Sequence, residues 1–392
     1  MERRTFFTTA IAAASGIGPF FALNACAGGG ARLDSSGKTQ WRILSSIGLD
    51  AGFALAIAGA GDDVLQAKKH KNRREPLREA MGETAVAAAE KLMAEMKSSG
   101  VGVPGAQLAL LASTGDVASI EGVIDTFAQE GVFARRFEGS RFFQKPGALE
   151  ALERRRPFMA AAYEALASSG FERFWRAYEE AKLQTAASRI ADELAHVDVI
   201  TECKRYLSTP LDPRITIYLS EFSEPHGIRI VGQRFITSPN YDTRIVRRNA
   251  AHEMLHPLLN NERPETQRIL SHLAGDPLLL AIVEKSNPAF GYSSIRGLVE
   301  EGAVQALEAV INERLRQERE PAAYWRKQDG GMHLFAAATY HLMKETGFAQ
   351  IGGDMLSWLD REVGRRRLRG SDLQQRAEAI VGREAVSAWL GG

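Results

Sequence analysis

The sequence predicts a predominantly helical α+β fold, with a small sheet just ahead of one chemically loaded helix. Three observations carry this reading. Helical periodicity fills most of the chain, and period-two alternation is confined to short runs between 214 and 237. A helical stripe then follows at once, bearing His252-Glu253-Met254-Leu255-His256.

Residues 1–25 are read as a targeting segment, outside the fold. Arg3-Arg4 opens a basic region and 5–23 is apolar, rich in Ala, Gly and Phe. Arg3-Arg4-Thr5-Phe6-Phe7 resembles a twin-arginine export signal, with Glu2 where such signals carry a small polar residue. Leu23-Asn24-Ala25-Cys26 resembles a bacterial lipobox, with Asn24 atypical for its place. The resemblance implies cleavage before Cys26, lipid on its sulfur, and an exported, periplasmic, membrane-tethered lipoprotein. A plain cleaved signal peptide or a hydrophobic anchor is the simpler alternative, and each still exports the protein. With Cys26 lipidated, Cys203 stands alone and no intramolecular disulfide forms. Residues 26–40, with Gly28-Gly29-Gly30 and Ser35-Ser36-Gly37, read as a flexible tether. No later segment approaches membrane-spanning length, so contact with a bilayer is expected through the lipid only.

The chain has 392 residues, 45% hydrophobic and 25% charged, enough for a sizeable core in one large or two ordinary domains. Without residues 1–25 it carries 47 basic and 47 acidic side chains, which gives no case for a nucleic-acid partner.

Residues 41–145 form a helical N-terminal region in this reading, with no strand between Trp41 and Phe137. Helix 73–99 ends at Gly100, and 108–112 and 120–127 are short helices. Lys68, Lys69, His70, Lys71, Arg73 and Arg74 make a basic cluster, read as a solvated helix end before any contact with acidic lipid. A boundary is expected at 139–147, around Pro146, and 146–392 forms the second domain. Its first helices, 148–169 and 171–195, include the stripe Phe171, Phe174, Trp175 and Tyr178, a core pattern. Strands follow at 214–219, 227–231 and 233–237.

Ile245, Asn249, His252, His256 and Leu259 then mark one face of a helix that Asp242 caps and Pro257 stops. Later helices cover 265–280, 295–316, 321–344, 354–363 and 371–390, the last capped by Ser371. The run Arg365-Arg366-Arg367-Leu368-Arg369 reads as solvated charge, with membrane contact the lesser alternative.

Residues four apart on a helix share a face, so His252 and His256 can offer imidazole nitrogens to one ion. Glu253, one step round, can reach a water on that ion as general base. With 8 histidines in 392 residues, a chance HExxH is roughly a one-in-a-hundred event. The bland alternative is a helix that happens to carry two histidines.

A third protein ligand is required, with the fourth position open. In the HExxHxxGxxH arrangement Leu259 would stand at the glycine and Glu262 at the third histidine, so that pattern is absent and Glu262, without the glycine that turns the chain back, is the lesser alternative as ligand. A glutamate from a later helix is the other solution. Glu300-Glu301-Gly302-Ala303 fits it, 45 residues after His256 for Glu301. Here the chain, over roughly 214–344, resembles the gluzincin zinc peptidases, which include thermolysin and the zinc aminopeptidases.

The resemblance implies a zincin-like catalytic domain holding Zn²⁺ through His252, His256 and Glu301. Glu300 and Glu301 are about 100° apart, so only one should face the metal. Gly302 is expected to let the glutamate helix approach the HExxH helix. Thermolysin-like enzymes carry an acid four residues beyond the ligand glutamate; here Gln305 stands there. The bond orienting His252 would then come from Gln305 or a backbone carbonyl. The family's substrate-pairing edge strand maps to 227–237. Its transition-state donor maps to Tyr340, with His341, His333 and Tyr292 as alternatives.

The expected activity is zinc-dependent hydrolysis of amide bonds in a peptide or protein substrate. A catalytically inactive, metal-holding envelope lipoprotein that binds peptides or partners is the alternative, and Gln305 is the feature pointing to it. A hydrolase of another amide, such as a cell-wall crosslink, is a third.

Overall fold

A computed structural model describes residues 38–137, 147–224, 227–260, 262–285, 294–316, 320–326 and 331–390. The expected export signal at Arg3-Arg4, the expected lipidation site Cys26, the expected tether before 38, the segment around Pro146, His226 and Tyr292 lie outside them. The described chain is mostly helical with one small mixed sheet, as expected. None of its helices is long and apolar enough to cross a membrane.

It divides into two compact units. One gathers Trp41–Ala195 and Ile215–Val246; the other gathers His196–Arg214 and the chain from Arg247 onward. This cut differs from the expected one near 145. Helix Ala148–Ala167 packs on Lys71–Ser98 and Ile120–Ala128, which draws it into the first unit with the helices before it.

The first unit is built around Ile47–Gly59, a helix buried along nearly its whole length. Ser46 caps it, accepting from Leu49 N at 3.1 Å. It packs on Lys71–Ser98 and Pro104–Ala112. A Cβ on Gly59 would lie 2.5 Å from the backbone of Ala89, so this close crossing requires glycine.

The sheet has order β1-β2-β4-β3, with β1 Gln40–Ser45, β2 Arg214–Leu219, β3 Ile228–Ile230 and β4 Arg234–Thr237. β2 runs parallel to β4 and β3 antiparallel to it. β1 corrects the expectation of helix alone after Trp41. A single edge strand of half-buried residues shows no clean alternation, and its place comes from pairing with distant β2. Of the expected edge region 227–237, β3 is at the edge but β4 lies inside the sheet, paired on both sides; all three residues of β3 are buried and it packs on Pro104–Ala112.

This unit also buries an acid. Asp50 accepts from Trp175 Nε1 at 2.7 Å and from the Ser220 hydroxyl. Burial pushes its pKa up to about 7; the two hydrogen bonds oppose this, while the charges of Glu179 and Glu221 add to it.

The second unit is organised around Ile295–Arg314, which packs on Leu334–Glu345, which in turn packs on Gly370–Val381. The expected helix 265–280 is two, Pro264–Leu273 and Pro277–Lys285, parted where Asp276 turns to cap the second through Leu278 N at 3.0 Å. The last expected helix also breaks, at Gly382 with φ 91°. Its N-cap is Arg369, not Ser371.

Candidate metal centre

The HExxH helix runs Thr243–Leu255, and Asp242 caps it by accepting from Arg244 N at 2.8 Å. It ends one residue before the second histidine. His256 opens a 3₁₀ turn, His256–Leu258, because Pro257 can neither donate to an α-helical ladder nor fit within one. Every residue from Ala251 to His256 is buried.

The opposing element is Ile295–Arg314, capped by Ser294, which accepts from Gly297 N at 3.1 Å. Amid its apolar residues, Glu300, Glu301, Gln305, Glu308 and Asn312 are all buried. Four of these, Glu301, Gln305, Glu308 and Asn312, repeat at +4, +3, +4 and so line one face. Buried carboxylates are costly unless paired, so this stripe demands partners.

The partners are the two histidines. His252 Nε2 lies 3.3 Å from Glu301 Oε1, and His252 Nδ1 lies 3.0 Å from Glu308 Oε2. His256 Nε2 is 3.8 Å from Glu253 Oε2, and its Nδ1 is 3.8 Å from Glu300 Oε1. One ligand atom from each of His252, His256 and Glu301 can be chosen so that all lie within 4.8 Å of one another, a group that can hold a metal ion. The three expected ligands are therefore together, with Glu253 beside them.

The donor set fits a divalent ion on two further grounds. His252 Nε2 is buried with no hydrogen-bond partner, a state an ion would relieve. Bonds of about 2.0–2.1 Å in a tetrahedron place ligand atoms roughly 3.3 Å apart, the spacing found between His252 Nε2 and Glu301 Oε1. The field agrees. Burial would depress the pKa of His252, but Glu301, Glu308 and Glu253 together raise it to about 9, so this pocket of carboxylates favours a cation.

Three expectations need correcting. Gln305 does not orient His252: its Nε2 donates to Glu301 Oε1 at 3.1 Å. The carboxylate on His252 is Glu308, seven residues beyond Glu301 where the resemblance looked for an acid at four. Glu308 is itself approached by Arg248 Nε at 3.6 Å and by Asn312 Nδ2 at 3.4 Å. The signal was present as a polar stripe at helical spacing in an otherwise apolar helix.

Gly302 does not serve contact with the HExxH helix. A Cβ there would meet Phe335 at 2.9 Å and Ala336 N at 3.1 Å, so it admits helix Leu334–Glu345. Tyr340, the expected transition-state donor, is engaged elsewhere. Its hydroxyl donates to Glu313, three turns and roughly 18 Å along the helix from Glu301. Of the alternatives, His341 sits by Glu345 and Arg376, and His333 is buried with its ring 5.6 Å from that of Tyr324. Glu262, the lesser alternative as third ligand, is not in the group of possible ligands found among the described residues; its backbone N donates to Asn260 Oδ1 at 2.9 Å.

Comparison with family models, characterised proteins and solved structures yields no match for this chain. The chemistry rests on the geometry alone.

Proposed function

We propose that the protein is a zinc-dependent hydrolase, a peptidase of gluzincin type with a zincin-like domain, exported and tethered by lipid on Cys26. The observation carrying the reading is that Glu301 meets His252 and His256 in a buried group while Glu253, the HExxH acid, lies beside His256. His252, His256 and Glu301 are the residues that would hold the ion. Bound there, zinc supplies Lewis acidity toward a carbonyl and makes water acidic near neutral pH.

The chain's own side chains do the rest. Glu253 takes the proton from the attacking water and delivers it to the leaving amide nitrogen. Glu308 accepts from His252 Nδ1–H, which fixes the ring and turns Nε2 toward Glu301. Gln305 donates to Glu301 Oε1, the oxygen beside His252 Nε2, and so holds that carboxylate in position. The inactive-lipoprotein alternative drew its support from a missing acid at 305; Glu308 fills that office from 308, which favours the enzyme. The substrate is a peptide or protein amide, with no role for nucleic acid.

The deciding experiment is metal analysis of the purified protein beside Glu301→Ala, with a zinc-dependent peptide-cleavage screen. About one zinc per wild-type chain, lost in the variant together with cleavage, is expected. Zinc retained by Glu301→Ala would overturn the ligand set.

A further inference from the structure

Two arginines of the run at 365–369, Arg365 and Arg367, line a hollow of about 390 Å³, a volume within the roughly 300–1,000 Å³ range of small-ligand sites. Arg361 and Arg365 stand one helical turn apart, and Arg367 also lines the hollow. A single carboxylate, Glu362, with its side chain only 4% exposed, holds both Arg365 and Arg367 at 3.1 Å. Their side chains remain 61% and 39% exposed, so each guanidinium is fixed in place yet open to a ligand.

The chain accepts an unfavourable backbone to do this. Arg366, at φ 65°, is one of only two non-glycine residues with positive φ among those described. That turn returns Arg367, whose N–H donates to Glu362 O at 3.0 Å.

The charges do not cancel. Glu362 is shared by two arginines, which leaves one positive charge, and Arg361 enters no ion pair among the described residues. The other acid of the lining, Asp354, is taken by Arg263 at 2.7 Å. Arg263 is itself divided between Asp354 and Glu265, so the three arginines of the lining exceed its acids by about one positive charge, presented on planar donors suited to bidentate oxyanions. The hollow is also lined by Phe348 and Trp358, stacked at 4.8 Å, and by Ile351, which is 81% exposed.

We propose that this hollow is a binding site for a phosphate monoester carrying a small apolar body, distinct from the group at His252. The guanidinium donors of the rim match the oxygens of a phosphate, and the apolar body matches the Phe348, Trp358 and Ile351 side.

The test measures binding of phenyl phosphate by calorimetry to the full chain, wild type beside the double variant Arg361→Gln/Arg365→Gln. Flotation with phosphatidylcholine vesicles, with and without phosphatidic acid, tells a soluble ester from a lipid headgroup. Saturable phenyl phosphate binding that inorganic phosphate competes away, and that weakens ~10-fold or more per arginine removed, supports a soluble ester. Flotation only with phosphatidic acid, abolished by the same variant, supports the same site with a lipid source. The double Lys variant at these positions keeps charge without the planar fork and should bind with intermediate strength. Both arginines are exposed, so unchanged circular dichroism and melting are expected. No binding by either probe, or binding indifferent to the Gln variant, would overturn the proposal.

Discussion

Each unit buries carboxylates, and the two use them in opposite ways. In the first, Asp50 is met by neutral donors, Trp175 and Ser220, and burial drives it toward holding a proton. In the second, Glu301 and Glu308 are met by the imidazole of His252, and against the effect of burial they and Glu253 draw the ring's pKa up to about 9. Burial alone therefore does not mark a reactive site. The partner decides, because a neutral donor leaves an acid to neutralise itself, whereas a titratable base leaves a net charge deficit that a cation can fill.

The contrast can be attacked directly. Glu253→Gln keeps the shape of the centre and removes only the proton acceptor. Peptide cleavage should fall by about 10²–10⁴-fold with zinc content unchanged, read from paired activity and metal assays. Equal activity would remove the general-base role.

Asp50→Asn tests the other side. Asp50 is raised from its ordinary value, so the folded state holds the proton more tightly than the unfolded chain does. Its contribution is fully present below the unfolded pKa near 4 and is lost as pH rises through about 7. Relative to Asp50→Asn, the wild type should lose up to about 4 kcal/mol between pH 4 and pH 8, measured by denaturant unfolding. Metal content should not respond.

Glu308→Gln removes the charged acceptor behind His252 and should weaken zinc binding by about 10–100-fold, measured by chelator competition. A smaller change would return the orienting role to a neutral contact. The same competition run across pH sharpens the point further. Because His252 keeps its proton up to about 9, zinc must displace it at neutral pH, so apparent affinity should rise about tenfold per pH unit from 6 to 8.

What the sequence disclosed follows the range of the interactions involved. Helices and β2 are legible because period and caps are local: Asp242 and Pro257 act where the sequence pattern puts them. His252, His256 and Glu301 were reachable because two short patterns carry them. Glu308 was missed for a different reason. The resemblance points to position 305, while the buried stripe through 301, 305, 308 and 312 shows only as a set. β1, the packing partner of Gly302 and the diversion of Tyr340 to Glu313 depend on which distant segments meet, and no local pattern encodes that.

The two imidazoles also stand on unequal mechanical footing. His252 rides on thirteen residues of continuous helix, whereas His256 is carried by a three-residue turn stiffened only by a proline ring. Loading the centre should therefore tighten one ligand's backbone far more than the other's. Amide exchange around 258–260 should slow on adding zinc, while that of 246–252 barely changes.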